Sequence, residues 1–361
     1  MPITMPITMP SPSWLLLQAE SPHHRLPDDL RARDPLGGRD CGWVEQMTPF
    51  VRQFSQPGET VFDPFAGFGT TLLAARLQGR SAVGCEVDGQ RIALARERLA
   101  RHGLGDGVTL LHGSCDTLQS DTLNGVTLPP FDLCLTNVPY FGCRWPGDDA
   151  ASQLYDSRSY AQHLNSLRDV FYSVRAGLRE GGRCIAMVEN VRLGERVLPL
   201  AFDLARILGA LFVMEEERVL VYPHAEEATA DEASAHTDRR HEYALVFRKQ
   251  RECIDLQATS ELLNALRAQG HGFTLIGSFA RWLADPQGTP PADADIRVDA
   301  DPQRLDALLQ WLRGQGFSLT SWGEPVGLPL HLDSYRGRFY FRADRIDRNG
   351  ALVRLDIGYE G

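Results

Sequence analysis

From about residue 43, segments in which apolar residues recur with the period of a helix alternate with segments that have the pattern of a β-strand. Residues 43–54 space their apolar side chains as an amphipathic helix does. The following stretch, PGETVFDPFAGFGTTLLAARLQG, predicts a turn, a strand, a glycine-rich loop and a helix in that order. This alternation repeats to residue 249 and predicts a doubly wound, mostly parallel α/β sheet. The later predicted strands are 81–88, 108–118, 131–141, 183–190, 213–222 and 241–249, and the later helices are 89–104, 159–182 and 198–213.

Two segments of the chain lack either period. Residues 1–40 are rich in Pro, Asp and Arg, which predicts an N-terminal tail or lid. Residues 224–240 are acidic and rich in Ala, and they predict a mobile loop between the last two strands of the sheet.

A second pattern begins after residue 250, and it predicts a separate, smaller α+β domain. Helical spacing is present in residues 260–270 and 301–317, and strand patterns flank both segments and fill the C-terminal tail. We therefore predict three parts, namely a tail or lid, a larger α/β domain and a smaller α+β domain, at residues 1–40, 41–250 and 255–361.

Composition narrows the class of protein. The chain has 361 residues, 43% of them hydrophobic, and no apolar run approaches the roughly 20 residues that a membrane helix needs. The N-terminus has no basic region followed by an apolar core, so no signal peptide is predicted. Seven scattered cysteines without a CxxC pair predict neither a zinc site nor a disulfide framework. These features predict a cytoplasmic protein, and the net charge of −10 argues against a long duplex footprint.

The glycine loop (Asp63–Thr71) follows a predicted strand and opens a helix, which is where an open α/β sheet binds its ligand. Gly67 and Gly69 allow a tight turn and a close approach of the backbone to that ligand. Glu86 ends the next strand, about 20 residues after the glycine loop. In nucleotide-binding sheets, an acid at this position accepts hydrogen bonds from the ribose hydroxyls. Asp116 lies at the end of the third strand. It is expected either to contact an adenine amino group or to cap a helix.

The NVPY segment (Asn137–Tyr140) ends the fourth strand and has groups suited to methylation of a planar amine. The side-chain carbonyl of Asn137 and the backbone carbonyl of Val138, which a rigid Pro139 follows, can accept both N–H bonds of such an amine. The nitrogen lone pair then leaves conjugation and becomes available to a methyl group. Tyr140 offers a face on which a flipped base can stack.

With these two motifs the chain resembles the amino-methyltransferases of DNA and RNA, over residues 43–249. Their motifs are DPFxGxGT for the cofactor and Asp/Asn/Ser-Pro-Pro-Tyr/Phe/Trp for the target amine. The resemblance implies a Rossmann-like sheet with S-adenosylmethionine as cofactor, its ribose on Glu86. The residues implied to hold the methionine part are Asp63, Phe65, Gly67, Gly69 and Thr70. The residues implied to hold the target base are Asn137, Pro139 and Tyr140.

The chain departs from that family in two ways. Val138 occupies the position of the first proline, which removes rigidity from the NVPY segment. The glycine loop precedes the NVPY segment, whereas the reverse order is more frequent among DNA enzymes, and no long recognition insert separates the two. Specific reading of several base pairs needs such a surface. These departures favour RNA, a short single strand or a nucleotide-sized molecule as the substrate.

The smaller domain has a second candidate site. Gly277 and Ser278 close a predicted strand, Asp293 and Asp295 lie at alternate positions of the next, and Asp356 lies on a later one. This pattern resembles the nucleotidyltransferase superfamily. The three carboxylates would hold Mg²⁺ and the Gly-Ser turn would bind phosphate. A hairpin with surface aspartates and a degenerate binding domain remain open alternatives.

The leading functional hypothesis is methyl transfer to an exocyclic amino group of a nucleic-acid base, adenine N6 or cytosine N4. A rival within enzymes is methylation of a small molecule or of an amide nitrogen, because the NVPY segment treats any planar amine alike. Two further alternatives are a nucleotidyltransferase with a regulatory methyltransferase-fold domain and a non-enzymatic nucleotide sensor. The predicted partner is DNA, RNA or a nucleotide-like substrate, and no membrane.

Overall fold

The computed structural model describes residues 12–115, 122–123, 126–127, 130–144, 153–223, 241–299, 301–335 and 340–360. The chain divides into two compact units, Met1–Gln250 and Arg251–Gly361. The segment predicted as a mobile loop, 224–240, lies outside the described residues.

The first unit contains twelve described strands and six described α-helices. The strands are β1 (Trp14–Leu16), β2 (Thr60–Asp63), β3 (Ser81–Glu86), β4 (Val108–His112), β5 (Thr122–Leu123), β6 (Val126–Thr127), β7 (Phe131–Asn137), β8 (Leu178–Val188), β9 (Val191–Leu193), β10 (Arg196–Leu198), β11 (Val213–Val221) and β12 (His241–Arg248). The helices are α1 (Asp28–Arg31), α2 (Val44–Phe54), α3 (Thr70–Leu77), α4 (Gly89–Arg101), α5 (Tyr160–Gly177) and α6 (Leu200–Gly209).

Eight of these strands form one sheet in the order β1-β11-β12-β8-β7-β2-β3-β4. The five strands β4, β3, β2, β7 and β8 are parallel, and β12 is antiparallel to both of its neighbours. The chain leaves β2 toward β3 on one side and returns as β7 on the other, so the strand order reverses at β2. Such a switch point opens a crevice at the carboxyl ends of the strands, which is where open α/β sheets bind ligands.

Each face of the large sheet is covered by helices. Val61 on β2 packs with side chains of α2, α3 and α4, while the next residue, Phe62, packs with side chains of α5 and α6. Successive residues of a strand point to opposite faces, so two apolar cores lie one on each side of the sheet. The predicted α/β class with a Rossmann-like doubly wound sheet is confirmed.

Residues 1–40, predicted as a tail or lid because they lack helical or strand period, contain some regular structure. Trp14–Leu16 forms strand β1, which pairs in parallel with Val219–Val221 at the edge of the sheet. Leu26 and Leu30 are fully buried against Phe68 of the glycine loop. The stabilising contacts come from residues distant in sequence, so the local pattern does not indicate them.

The predicted helix at 159–182 ends earlier than its pattern indicates. Helix α5 stops at Gly177, and Leu178 already begins β8. The N–H of Gly181 donates to the carbonyl of Lys249 at 2.7 Å, and Lys249 donates back to Gly182 at 2.9 Å. Pairing with the end of β12 therefore extends the strand through the Gly-Gly pair that would otherwise terminate a helix.

The second unit is a smaller α+β structure. Its strands are β13 (Thr274–Ile276), β14 (Ala294–Asp299), β15 (Ser318–Ser321), β16 (Glu324–Pro325), β17 (Tyr340–Ile346) and β18 (Leu352–Glu360), and its helices are α7 (Leu256–Ala268), α8 (Gly277–Ala284) and α9 (Pro302–Gly314). The sheet order is β13-β14-β18-β17-β15-β16, with β14 and β18 parallel and the other pairs antiparallel. An apolar core joins α7 and α9 to this sheet. Gly277 and Ser278, which were predicted to close a strand, belong instead to the start of α8.

Within the described part of the chain, none of the helices combines the length and the apolar character needed to cross a membrane.

Candidate functional site

A cavity of about 300 Å³ lies in the first unit at the carboxyl ends of β2, β3 and β7, where the switch point predicts a ligand. The N-terminal segment before and within α2 contributes a further wall. The cavity brings together eight of the residues predicted to hold the cofactor or the target base. These are Asp63, Phe65, Gly67, Thr70, Glu86, Asn137, Pro139 and Tyr140.

The two glycines of the glycine loop have different surroundings. Gly67 has a φ of +48°, and a Cβ added to it would meet no atom within 4 Å, so its backbone borders open space. Gly69 has a φ of +72° and caps the N-terminus of α3. A Cβ there would contact Ala95 and Leu99 in the core, at 3.5 and 3.6 Å. Gly69 is not among the residues that line the cavity, so its position supports a structural requirement for glycine rather than a ligand contact.

Thr70 contacts the N-terminal wall of the cavity. Its hydroxyl donates to the carbonyl of Gly42 at 3.2 Å and accepts from Arg98 at 2.9 Å. The Arg98 guanidinium also donates to the carbonyl of His24, so one buried cation ties the glycine loop to the N-terminal segment.

Glu86 ends β3 with its carboxylate buried beside the glycine loop. One oxygen accepts the Gly67 N–H and the other accepts the Asp88 N–H, both at 2.8 Å. Burial raises the pKa of Glu86, and the two backbone donors act in the opposite direction. Each carboxylate oxygen has lone pairs beyond the one that its backbone donor uses, so Glu86 can also accept from hydroxyls of a ligand.

Asp63 joins the ends of two strands at the floor of the cavity. Its Oδ1 accepts the Thr136 hydroxyl at 2.6 Å and the Phe65 N–H at 3.0 Å. Burial raises the pKa of Asp63 to about 6. These bonds fix the start of the glycine loop against the strand that carries the NVPY segment.

The NVPY segment is held by the sheet and by α2. The N–H of Val138 donates to the carbonyl of Met187 at 3.0 Å, and the Val138 side chain is buried. The amide nitrogen of Gln46 donates to Oδ1 of Asn137 at 3.2 Å. A Cβ on Gly42 would lie 2.4 Å from Nδ2 of Asn137, so only glycine fits beside it. These neighbours restrain the segment where the family's first proline is replaced by Val138.

An ion-pair network in the N-terminal wall was missed by sequence reasoning. Arg91 on α4 is buried and pairs with Asp34 at 2.9 Å and with Asp40 at 2.7 Å. The Tyr155 hydroxyl donates to Asp40 at 2.7 Å. Burial opposes ionisation of Asp40, but Arg91 and Tyr155 hold its pKa below the usual value. The partners are more than 50 residues apart, and no local pattern indicates them.

A second missed group is acidic and lines the cavity near the NVPY segment. Glu242 on β12 is 3% exposed, and its Oε2 accepts Gln46 Nε2 at 2.5 Å and the Tyr222 hydroxyl at 2.6 Å. Burial, and then the charge of Glu189, raise the pKa of Glu242 to about 8. The Tyr140 hydroxyl donates to Glu189 at 3.5 Å. The sequence signal for this group was an acid within the otherwise apolar strand HEYALVF.

Asp116, predicted to contact adenine or cap a helix, lies outside the described residues.

The structure brings together the residues of the second candidate site, in the smaller unit. Asp295 on β14 pairs in register with Asp356 on β18. The pKa values of Asp293 and Asp295 are raised, first by burial and then by neighbouring carboxylates of this group. The Ser278 N–H, at the start of α8, donates to Asp295, so it is already engaged where free donors to phosphate were predicted.

The predicted magnesium site is not supported. Asp356 makes a two-point ion pair with Arg342, at 2.7 and 2.8 Å, and this guanidinium occupies the position of a cation. Among the described residues, no group of three or more His, Cys, Asp or Glu side chains is arranged to hold a metal ion. The resemblance to nucleotidyltransferases stays a prediction.

Gly277 gives a stability test of this cluster. It has a φ of +72°, and a Cβ would lie 1.9 Å from Oδ2 of Asp295. We expect Gly277→Ala to lower the free energy of unfolding of the second unit by about 2 kcal/mol, through overlap and backbone strain. Urea denaturation of the full chain, with hydrogen exchange of peptides from 251–361, measures the change. Gly314→Ala is the control, because a Cβ there meets no atom within 4 Å. Equal stability of the two variants would contradict the expected overlap.

Comparison with protein families finds a match within the first unit. Residues 44–97, which contain α2, the glycine loop and most of α4, match the sequence model of a DNA methylase family.

Curated relatives match over short segments. The chain is 40% identical over 96 residues to the 23S rRNA (uracil(1939)-C(5))-methyltransferase RlmD of Acidithiobacillus ferrooxidans, covering 25% of this chain and 22% of that protein. It is 39% identical over 57 residues to the putative methylase YubD of Escherichia coli, covering 16% and 25%. It is 26% identical over 130 residues to a tRNA (guanine(10)-N2)-dimethyltransferase of Methanothermobacter thermautotrophicus, covering 36% and 33%. The chain thus spans between about a fifth and a third of these relatives.

Solved structures give matches at low identity. TrmN from Thermus thermophilus aligns with a TM-score of 0.41 at 20% identity, covering 59% of this chain and 51% of that one. An rRNA-methylase described as putative, from Clostridium thermocellum, aligns with a TM-score of 0.39 at 14% identity, covering 57% and 96%. Over residues 44–97 the chain is similar to DNA methylases, and its first unit has a Rossmann-like, doubly wound α/β sheet.

Proposed function

We propose that the first unit is an S-adenosylmethionine-dependent methyltransferase acting on an exocyclic amino group of a nucleic-acid base, adenine N6 or cytosine N4. One observation carries this proposal: a single cavity is lined both by the glycine loop with Glu86 and by Asn137 and Tyr140. A methyl donor held by the first group would therefore lie beside an amine held by the second.

The glycine-loop half of the cavity suits the proposed cofactor. Gly67 leaves open space where a side chain would intrude, and the buried Glu86 carboxylate has lone pairs for the two ribose hydroxyls. Asp63 and Phe65 border the same half and would lie beside the methionine part. When bound, the cofactor supplies a methyl group activated by a positively charged sulfur. The protein's task is to hold the acceptor nitrogen in line with it.

The NVPY half suits a planar amine. Asn137 Oδ1 accepts one bond from Gln46 and has a second lone pair for an N–H of the target. The Val138 carbonyl, in a segment fixed by its bond to Met187, would accept the other N–H. Two such acceptors hold both hydrogens on the side away from the cofactor, so the nitrogen lone pair leaves conjugation and points toward the methyl group. Tyr140, beside them in the cavity wall, would stack on the base.

Nucleic acid is proposed as the substrate class because the named relatives include enzymes of rRNA and tRNA, and the matched family model is a DNA methylase. The targets given in the names of these enzymes differ, since one is a ring carbon of uracil and another is the N2 amine of guanine. The amine is proposed from the NVPY geometry rather than from the relatives. RNA or short single strands fit the net charge of −10 better than a long duplex does.

The test is to incubate the protein with S-adenosylmethionine carrying a labelled methyl group and with separate pools of RNA, DNA, single-stranded DNA, nucleotides and small amines. Products are digested and identified by mass. Label in an N-methylated base from a polynucleotide pool supports the proposal. Label only in a small molecule would indicate a small-molecule methyltransferase, and label only on a ring carbon would indicate a carbon methyltransferase. Failure of S-adenosylmethionine to bind would contradict the proposal altogether.

A further inference from the structure

The cavity holds a carboxyl group that the proposed function does not use. Glu242 lies beside Asn137, because the amide nitrogen of Gln46 donates to an oxygen of each. The distances from that nitrogen are 3.2 Å to Asn137 and 2.5 Å to Glu242. One donor atom therefore links the acid to the group proposed to hold the target amine.

Both described donors to Glu242, Gln46 and Tyr222, reach the same oxygen, Oε2. A proton on this carboxyl group is consequently held on Oε1. The titratable groups that face it are Glu189 from the end of β8, Tyr222 from the end of β11 and Tyr140 from the NVPY segment. The cations of the described cavity lining, Arg39 and Arg91, come from the N-terminal wall and α4, and Arg91 is committed to two aspartates.

Methylation of an amine leaves one proton in excess. A nitrogen that uses its lone pair to bond the methyl carbon becomes a cation with both of its original hydrogens. The carbonyls of Asn137 and Val138 can accept hydrogen bonds from it, but a neutral amide does not keep a proton. A nearby carboxylate can accept and keep this proton. Proton transfer to a correctly positioned side chain typically increases the rate about 10²- to 10⁴-fold.

We infer that Glu242 takes the proton that the target amine loses. The N–C bond forms with the amine's electron pair, the electrons of the broken S–C bond stay on sulfur, and one N–H proton passes to Oε1 of the ionised Glu242 carboxylate, which becomes the neutral acid. This inference rests on the proposed function. It adds a catalytic residue to that site and requires a target with at least one N–H at the methylated nitrogen.

The ionisation of Glu242 should depend on the cofactor. With a pKa of about 8, its carboxyl group is mostly neutral at pH 7 in the free protein. A positive charge in the same cavity favours the ionised form and lowers that pKa. S-adenosylmethionine is cationic at sulfur and S-adenosylhomocysteine is not, while the two share every other titrating group. The difference between the wild type and Glu242→Gln in the pH dependence of their affinity ratio therefore isolates the effect of the sulfur charge on Glu242.

The experiment measures the dissociation constants of both molecules by calorimetry between pH 6.5 and 9. In the wild type, the affinity for S-adenosylmethionine relative to S-adenosylhomocysteine should increase by up to about tenfold as the pH is raised from 6.5 to 9. A tenfold increase corresponds to a fall of one unit in the pKa of Glu242 on binding of S-adenosylmethionine. Glu242→Gln should abolish this rise, and Tyr222→Phe should move it to higher pH because the Tyr222 hydrogen bond lowers the pKa of Glu242. Glu217→Gln, at an exposed acid on β11, should leave it unchanged.

The second readout is the initial rate of methyl incorporation into the RNA pool at saturating cofactor. Glu242→Gln should lower it about a hundredfold, with its thermal melting unchanged as a check on folding. A flat ratio in the wild type, the same rise in Glu242→Gln, or more than a tenth of the wild-type rate in that variant would overturn the inference. If neither cofactor form binds the wild type, the proposed function itself fails and takes the inference with it.

Discussion

Asn137→Ala is expected to lower the turnover of methyl transfer at least about a hundredfold, as does removal of a preorganised hydrogen-bonding group at other reacting centres. The side chain is asked to accept an N–H of the target while the lone pair turns toward the methyl group. Its loss should therefore appear in kcat, since that contact strengthens as the nitrogen becomes positive. Cofactor affinity should stay within a few-fold of wild type, because the contacts proposed for the cofactor come from the glycine loop and Glu86.

Labelled methyl incorporation at saturating cofactor measures turnover, and calorimetry measures affinity. The matched control is Asn165→Ala, which truncates an exposed asparagine on α5 and should leave both unchanged. A variant at Asn137 that keeps more than a tenth of wild-type turnover would exclude the amine-activating role. Asn137→Ala also removes the hydrogen bond that the Gln46 amide donates to Asn137. Gln46→Ala removes the same hydrogen bond but keeps the Asn137 side chain, so it separates the loss of the amine acceptor from the loss of the residue that positions it. We expect Gln46→Ala to have the smaller effect on turnover.

Much of the first unit could be predicted because its information is local. The alternation of helical and strand periods indicates each parallel strand and its helix, and the right-handed crossover leaves few ways to assemble them. The glycine loop and Glu86 follow from the same rule, since residues after neighbouring parallel strands meet at one edge of the sheet. In the structure, the Gly67 N–H and the Glu86 carboxylate are hydrogen-bonded at 2.8 Å.

What could not be predicted depends on contacts between distant residues. Asp34 and Asp40 lie in a segment without period, and their pairing with Arg91 holds Asp40 in the cavity wall. Glu242 is adjacent to Asn137 because β12 inserts between β8 and β11, an order that no local pattern specifies. Gly69 is a different case. The resemblance implies that it contacts the cofactor, which stays a prediction, and the structure adds that a Cβ there would face the core.

The same limit applies to the second unit. The spacing of its aspartates was enough to predict that they converge, and the register of Asp295 with Asp356 agrees with that geometry. It did not indicate that Arg342, on the neighbouring strand, would pair with Asp356. A guanidinium and a metal ion are alternative partners of one carboxylate, and a sequence pattern cannot choose between them when the arginine comes from another strand.

Glu86→Ala is expected to weaken S-adenosylmethionine binding by at least about a hundredfold, because each hydrogen bond to a charged group contributes about 1.5–3 kcal/mol and two ribose hydroxyls would lose their acceptor. The carboxylate also accepts the Gly67 and Asp88 N–H groups, so its removal loosens the glycine loop against β3. Both effects act on the cofactor half of the cavity. The dissociation constants of S-adenosylmethionine and S-adenosylhomocysteine, which share the ribose, should therefore rise by the same factor.

Calorimetry with both molecules measures this effect, and Glu97→Ala is the matched control. Glu97 is an exposed acid on α4 that pairs with Arg33 and Arg101, so its loss removes the same charge without touching the cavity. Binding to Glu86→Ala within threefold of wild type, in a protein that still melts cooperatively, would show that the ribose lies elsewhere. A rise for S-adenosylmethionine alone would also contradict the ribose assignment, because it would place Glu86 near the charged sulfur instead.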